Sequence, residues 1–190
     1  HDHLPADDSR TIAVRALTQV KILVVDGDPG AGGRESESFY LKNALVPVPR
    51  PEVEQYYNKV TVINSQELDS AKLDPYDAVF LCNVTDFPES TISAFADYLK
   101  RGGGLVFFPG ENINVRQYNN ELAKKFQFLP ATLSDEAHGD ASRDDQFTLM
   151  QDKNFEHPIA KLWNDAASGT VNVHFYRMFD LTPLGSEKEG

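Results

Sequence analysis

The chain has 190 residues, 41% hydrophobic and 25% charged, and carries a formal net charge of -11. A chain of this length buries about 70% of its unfolded surface, so a core forms without staples. Its single cysteine excludes an internal disulfide and a cysteine-rich zinc site. The acidic balance argues against nucleic acid as a partner, because phosphate binding needs clustered Lys and Arg; the densest basic feature, Lys124-Lys125 near Glu121, reads as a solvated helix face.

No stretch approaches the roughly 20 apolar residues of a membrane span, so direct membrane contact by this segment is not expected. No secretory signal is visible, and the opening His1-Asp2-His3 without a Met leads us to expect a piece cut from a longer protein.

In chain order, residues 1–19 read as a linker or the last strand of a preceding β domain, since Ile12, Val14 and Ala16 share one face of a period-two segment. From residue 20 the pattern becomes that of an α/β domain running to residue 190. Ile22-Leu23-Val24-Val25 is a continuous apolar run, as in a parallel strand covered on both faces. A loop of Asp26-Gly27-Asp28-Pro29-Gly30-Ala31-Gly32-Gly33 follows. A helix from about Glu35 carries Leu41, Ala44, Leu45 and Val48, and Pro47, Pro49 and Pro51 stop it. Val60 to Ile63 and Ala78 to Cys82 are the next strands. The cleanest helix has Ile92, Phe95, Ala96 and Leu99 as its stripe, and Gly102-Gly103-Gly104 offers a left-handed cap. Leu105 to Phe108 is a fourth strand, followed by a helix over 115–126 with Tyr118, Leu122 and Phe126 inward.

The last third is less regular. Leu133 to Asp145 reads as a loop or lid, Phe147 to Met150 as a candidate strand, Ile159 to Trp163 as a short helix and Val171 to Arg177 as a strand. Strand–helix alternation with short connections predicts right-handed crossovers and a mostly parallel sheet.

Three segments, ILVVDGDPG…ESFYLKNAL, YDAVFLCNV and ISAFADYLKRGGGLVFFPG, together resemble the class I glutamine amidotransferase-like domains. The set they resemble is the divergent one found in large bacterial membrane proteins with von Willebrand factor A and BatA-like regions. The resemblance covers residues 20–160. It implies a flavodoxin-like, doubly wound sheet with helices on both faces, a short N-terminal β segment left from an immunoglobulin-like neighbour, and a periplasmic location. Partners would be other domains of the same parent chain, or separate proteins. True members place a nucleophilic Cys on a strained elbow after the strand matching Leu105–Phe108. Here that position is Pro109-Gly110-Glu111-Asn112, with no thiol or hydroxyl, and Cys82 lies one strand too early. His157-Pro158 has no acidic residue two positions on. The expectation is therefore a non-catalytic binding or assembly module with no cofactor.

The residues also carry a second resemblance. Asp26-Gly27-Asp28 after an apolar strand resembles the first motif of haloacid dehalogenase-type phosphatases, where the first Asp attacks phosphorus and the second shuttles a proton. Ser65 stands in for a second motif, and Gly139-Asp140-Ala141-Ser142-Arg143-Asp144 spells a metal motif. Pro29 replaces the usual hydroxyl residue, however, and the segment before Gly139 is polar. The plainer reading of Asp26 and Asp28 is turn chemistry. Gly27, Gly30, Gly32 and Gly33 lack dinucleotide spacing, and Asp26, Asp28, Glu35 and Glu37 would repel phosphate. The histidines show no ligand spacing, so no metal is expected.

Doubly wound sheets bind ligands at the carboxyl ends of their strands. Those ends make Asp26, Asp28, Asn83, Thr85, Gly110, Glu111 and Asn112 the candidate pocket, with a lining suited to a cation, a sugar hydroxyl or a peptide amine.

Overall fold

A computed structural model describes residues 18–31, 33–139, 145, 147–149, 156–158, 161–164 and 173–185. The expected strand over 11–17, Asp140 and Asp144 of the metal motif, and Ile159 lie outside them. The described residues divide into two compact units, with the boundary between Gly110 and Glu111.

The first unit is a four-stranded, all-parallel sheet. Its strands are β1 (Val20–Asp26), β2 (Asn58–Asn64), β3 (Ala78–Cys82) and β4 (Gly104–Phe108), in the order β2-β1-β3-β4. The apolar run of β1 sets its central place. Ile22 and Val24 face one side, Leu23 and Val25 the other, and all four are buried at 4% exposure or less. A strand buried on both faces must be central, since an edge or a one-sided sheet would leave alternate residues in water.

Helix α1 (Ser38–Leu45) joins β1 to β2, and Leu41 and Leu45 pack against Ile22, Val24 and Cys82. The helix is shorter than the apolar spacing predicts. It breaks at Val46, whose backbone leaves the helical region (φ -133, ψ 72) ahead of Pro47, and a 3-10 turn at Arg50–Gln55 uses the prolines instead. Ala44 is accordingly exposed. Helix α2 (Glu89–Lys100) follows β3 as the sequence predicts, with Ile92 and Phe95 buried. Thr91 is buried beside them, and the last buried position is Tyr98, whose hydroxyl donates to the Tyr76 carbonyl (3.0 Å), while Leu99 is half-buried. Phe95 meets Phe87, and Phe87 meets Phe107 on the face of the sheet opposite to Cys82 and Phe108. Gly102 takes φ +91 and ends α2, the left-handed cap that the three glycines predict.

In the second unit the helix over 115–126 is an α-helical turn, α3 (Val115–Gln117), running into a π-helix at Tyr118–Lys125. The wider turn buries Tyr118, Leu122 and Ala123, whereas Phe126 is half-buried. Asn119 fixes this helix to β5 (Ala131–Leu133): its amide donates to the Leu133 carbonyl (2.9 Å) and its oxygen accepts from the Leu133 N–H (2.8 Å). Strand β5 pairs antiparallel with β10 (Leu181–Pro183). The segment expected as a loop contains β6 (His138–Gly139), which pairs with β9 (Arg177–Met178). The candidate strand at 147–150 is β7 (Thr148–Leu149), paired with β8 (His174–Phe175). The single strand expected over 171–177 is thus two, parted at Tyr176. The expected helix near Trp163 is a 3-10 turn at Lys161–Asn164. Lys125 pairs with Glu121 (2.7 Å), so that basic pair belongs to a solvated helix face.

Candidate functional site

In a sheet ordered β2-β1-β3-β4, the order in which strands are added reverses between β1 and β3, and the crevice beyond their carboxyl ends is where open α/β sheets take ligands. Asp26 ends β1, and Asn83 follows β3 directly. The two predicted residues therefore meet at the switch point. Both are buried, Asp26 at 2% and Asn83 at 1% exposure.

A buried carboxylate needs donors, and Asp26 has four. The hydroxyls of Ser36 and Ser38 donate to Oδ2 at 2.5 and 2.7 Å, and the Ser38 N–H adds a third bond at 3.3 Å. The Asp28 N–H donates to Oδ1 at 3.1 Å, an Asx-type turn of the kind the Asp-Gly-Asp sequence suggests. Burial pushes the Asp26 carboxyl up, and the bonds from Ser36, Ser38 and Asp28 outweigh it, so its pKa lies below the ordinary carboxylate value.

Asn83 has a left-handed backbone (φ +51), which an Asn tolerates better than other side-chain-bearing residues. Gly27 and Gly110 hold it from two sides. A Cβ on Gly27 would overlap the Asn83 carbonyl, and one on Gly110 would overlap the Asn83 carboxamide. The Asn83 amide donates to Glu37 Oε1 (2.9 Å).

Three of the four carboxylates of the β1–α1 segment, Asp26, Asp28 and Glu35, accept from that segment itself, and Glu37 accepts from Asn83. Beyond Asp26 and Glu37, Asp28 accepts from the Gly30 N–H (3.3 Å) and Glu35 from the Ala31 N–H (3.2 Å). The N–H groups of Asp28, Gly30, Ala31 and Ser38 thus point at carboxylates. A phosphate cradle needs such groups turned to the ligand.

Cys82 pairs with Asp26 across β1 and β3 and is buried. Burial first, then the charges of Asp26 and Glu37, push its thiol up to about 12. A nucleophilic cysteine needs the opposite surroundings. We expect thiol reagents to label Cys82 at least ~100-fold more slowly in the native chain than in denaturant, because the thiolate is the attacking form. Comparable rates in a timed labelling assay would contradict that burial.

The other predicted residues are placed differently. Thr85 is exposed and lines a cleft of about 330 Å³ with Ser65, Asp69 and Asp86, at the ends of β2 and β3. Asp69 there accepts from the hydroxyls of Ser90 (2.5 Å) and Thr91 (3.0 Å), which hold its carboxyl below the usual range. It serves the first turn of α2, where a negative charge is favoured. Glu111 and Asn112 belong to the second unit. Both are exposed, and Glu111 pairs with Arg177 (3.0 Å). Among the described residues no cluster of three or more His, Cys, Asp or Glu has the geometry to hold a metal. The site residues not legible in the sequence are Ser36 and Ser38, and Glu37 stands out there only as one of four carboxylates around the glycines. Their signal was the run Glu35-Ser36-Glu37-Ser38, which resembles ordinary helix-start chemistry and hides that its hydroxyls serve Asp26.

No family model, curated protein or solved structure matches this chain.

Proposed function

We propose that the chain is a catalytically silent, amidotransferase-like module with a flavodoxin-like doubly wound sheet, acting in binding or assembly within a larger membrane-anchored extracytoplasmic bacterial protein. Its partners would be other domains of that protein or separate proteins. The strand order β2-β1-β3-β4 is the opening of the flavodoxin order and supports the fold part of this reading. One observation carries the functional part. The Asp26 carboxylate, at the switch point where a doubly wound enzyme would keep an open polar group, is buried and receives four hydrogen bonds from its own chain. The segment after β4 adds support, since Pro109-Gly110 supplies neither thiol nor hydroxyl.

The phosphatase reading needs Asp26 free to attack phosphorus. A carboxylate whose Oδ2 already accepts three bonds is a poor nucleophile, and the loop amides are spent on carboxylates. The test is turnover of glutamine and of a phosphomonoester with magnesium by the intact chain. We expect neither to exceed the protein-free blank. Glutamine hydrolysis lost in Cys82→Ser, or phosphate release lost in Asp28→Asn, would overturn the proposal.

A further inference from the structure

Away from the switch point, α1, the 3-10 turn at Arg50–Gln55 and β2 enclose a cleft of about 500 Å³. That volume lies within the ~300–1,000 Å³ typical of small-molecule sites. Phe39, Val46, Val48, Val53 and Val60 supply apolar lining. Three cations, Lys42, Arg50 and Lys59, stand over it against one carboxylate, Glu54. In a chain of net charge -11 this is a local reversal of sign.

The cations differ in how they are used. Lys59 donates to the carbonyls of Val53 and Glu54 and so closes the end of the 3-10 turn. The side chains of Lys42 and Arg50 make no hydrogen bond or ion pair among the described residues. Two unspent cations beside an apolar floor match a ligand with an apolar body and a single anionic head. The acidic surface elsewhere selects for small size. A large polyanion or an anionic bilayer would meet the whole field, while a monoanion within the cleft meets chiefly the charges inside a Debye length, ~8 Å at physiological salt.

We propose that this cleft binds a small carboxylate with an apolar tail, its head between Lys42 and Arg50 and its tail on the Val48–Val53–Val60 lining. Arg50 offers a two-pronged contact to the carboxylate and Lys42 a point charge. Neither Asp26 nor Asn83 lines this cleft, so the binding stands or falls apart from the silent-module reading.

The test is titration of the intact chain with octanoate, followed by calorimetry and by backbone amide shifts. We expect one saturable site, with shifts centred on Phe39 and Val60. Lys42→Ala/Arg50→Ala should weaken binding about tenfold or more, as loss of charge-assisted contacts does, with unfolding temperature unchanged. Octan-1-ol, of equal tail length and no charge, should bind more weakly than octanoate. Equal binding of the alcohol, equal affinity in the double variant, shifts centred elsewhere, or no saturable heat would each overturn the proposal.

Discussion

Gly27→Ala is expected to destabilise the first unit by about 3 kcal/mol or more, the upper range for overpacking a close contact. Gly27 sits where the chain leaves β1, and its N–H donates to the Cys82 carbonyl (2.8 Å). A Cβ there would meet the carbonyl carbon and oxygen of Asn83 and the nitrogen of Val84, all backbone. Backbone cannot rotate away as a side-chain end can. Relief would need β1 and β3 to part at their carboxyl ends, which breaks the Gly27–Cys82 bond and exposes Asp26. Gly104→Ala is the matched control, because its Cβ would have only the Asp77 carbonyl within reach, at an ordinary 3.8 Å. Denaturant unfolding of the two variants should give a large loss for Gly27→Ala and a change within about 0.5 kcal/mol for Gly104→Ala. Equal effects would mean that the approach of Gly27 to Asn83 is looser than described.

Asp26→Asn should cost about 2–4 kcal/mol at neutral pH, the sum expected when a buried charge loses charge-assisted partners and an N–H is left unpaired. The Ser36 and Ser38 hydroxyls can turn to accept from the new amide, but the N–H groups of Asp28 and Ser38 remain donors only. One of them then faces an NH2 group. The pH dependence follows from the direction of the shift. The folded pKa of Asp26 is depressed, so its stabilisation is complete above the unfolded value of about 3.9 and is lost as pH falls through the folded value. The parent and the variant should therefore differ most near pH 7 and draw together only as pH falls through the depressed folded value. A difference independent of pH in parallel unfolding curves would show that the charge on Asp26 contributes nothing.

The central sheet was legible because buried parallel strands announce themselves as unbroken apolar runs. β1, β3 and β4 fall where Ile22–Val25, Ala78–Cys82 and Leu105–Phe108 predict. Helix α2 was legible through its stripe and its glycine stop. Less visible was anything set by contacts far apart in sequence. Ser36 and Ser38 lie ten and twelve residues from Asp26, and no local pattern tells a hydroxyl that starts a helix from one that serves a buried carboxylate. The predicted pocket residues Asp26 and Asn83 do share one place, but as buried partners of Ser36, Ser38 and Glu37. Strands β6 to β9 are two residues each, too short to show a period. The π-helix at Tyr118–Lys125 shifts the buried positions from those that a 3.6-residue turn gives.

Carbon-13 NMR titration of the Asp26 side-chain carboxyl tells a structural anion from a poised acid or base directly. We predict one titration step below the ordinary value of about 3.9, as for a carboxylate held by hydrogen bonds. A midpoint raised toward neutrality, as in a carboxyl tuned for proton transfer, would contradict it and return the switch point to the status of an active site.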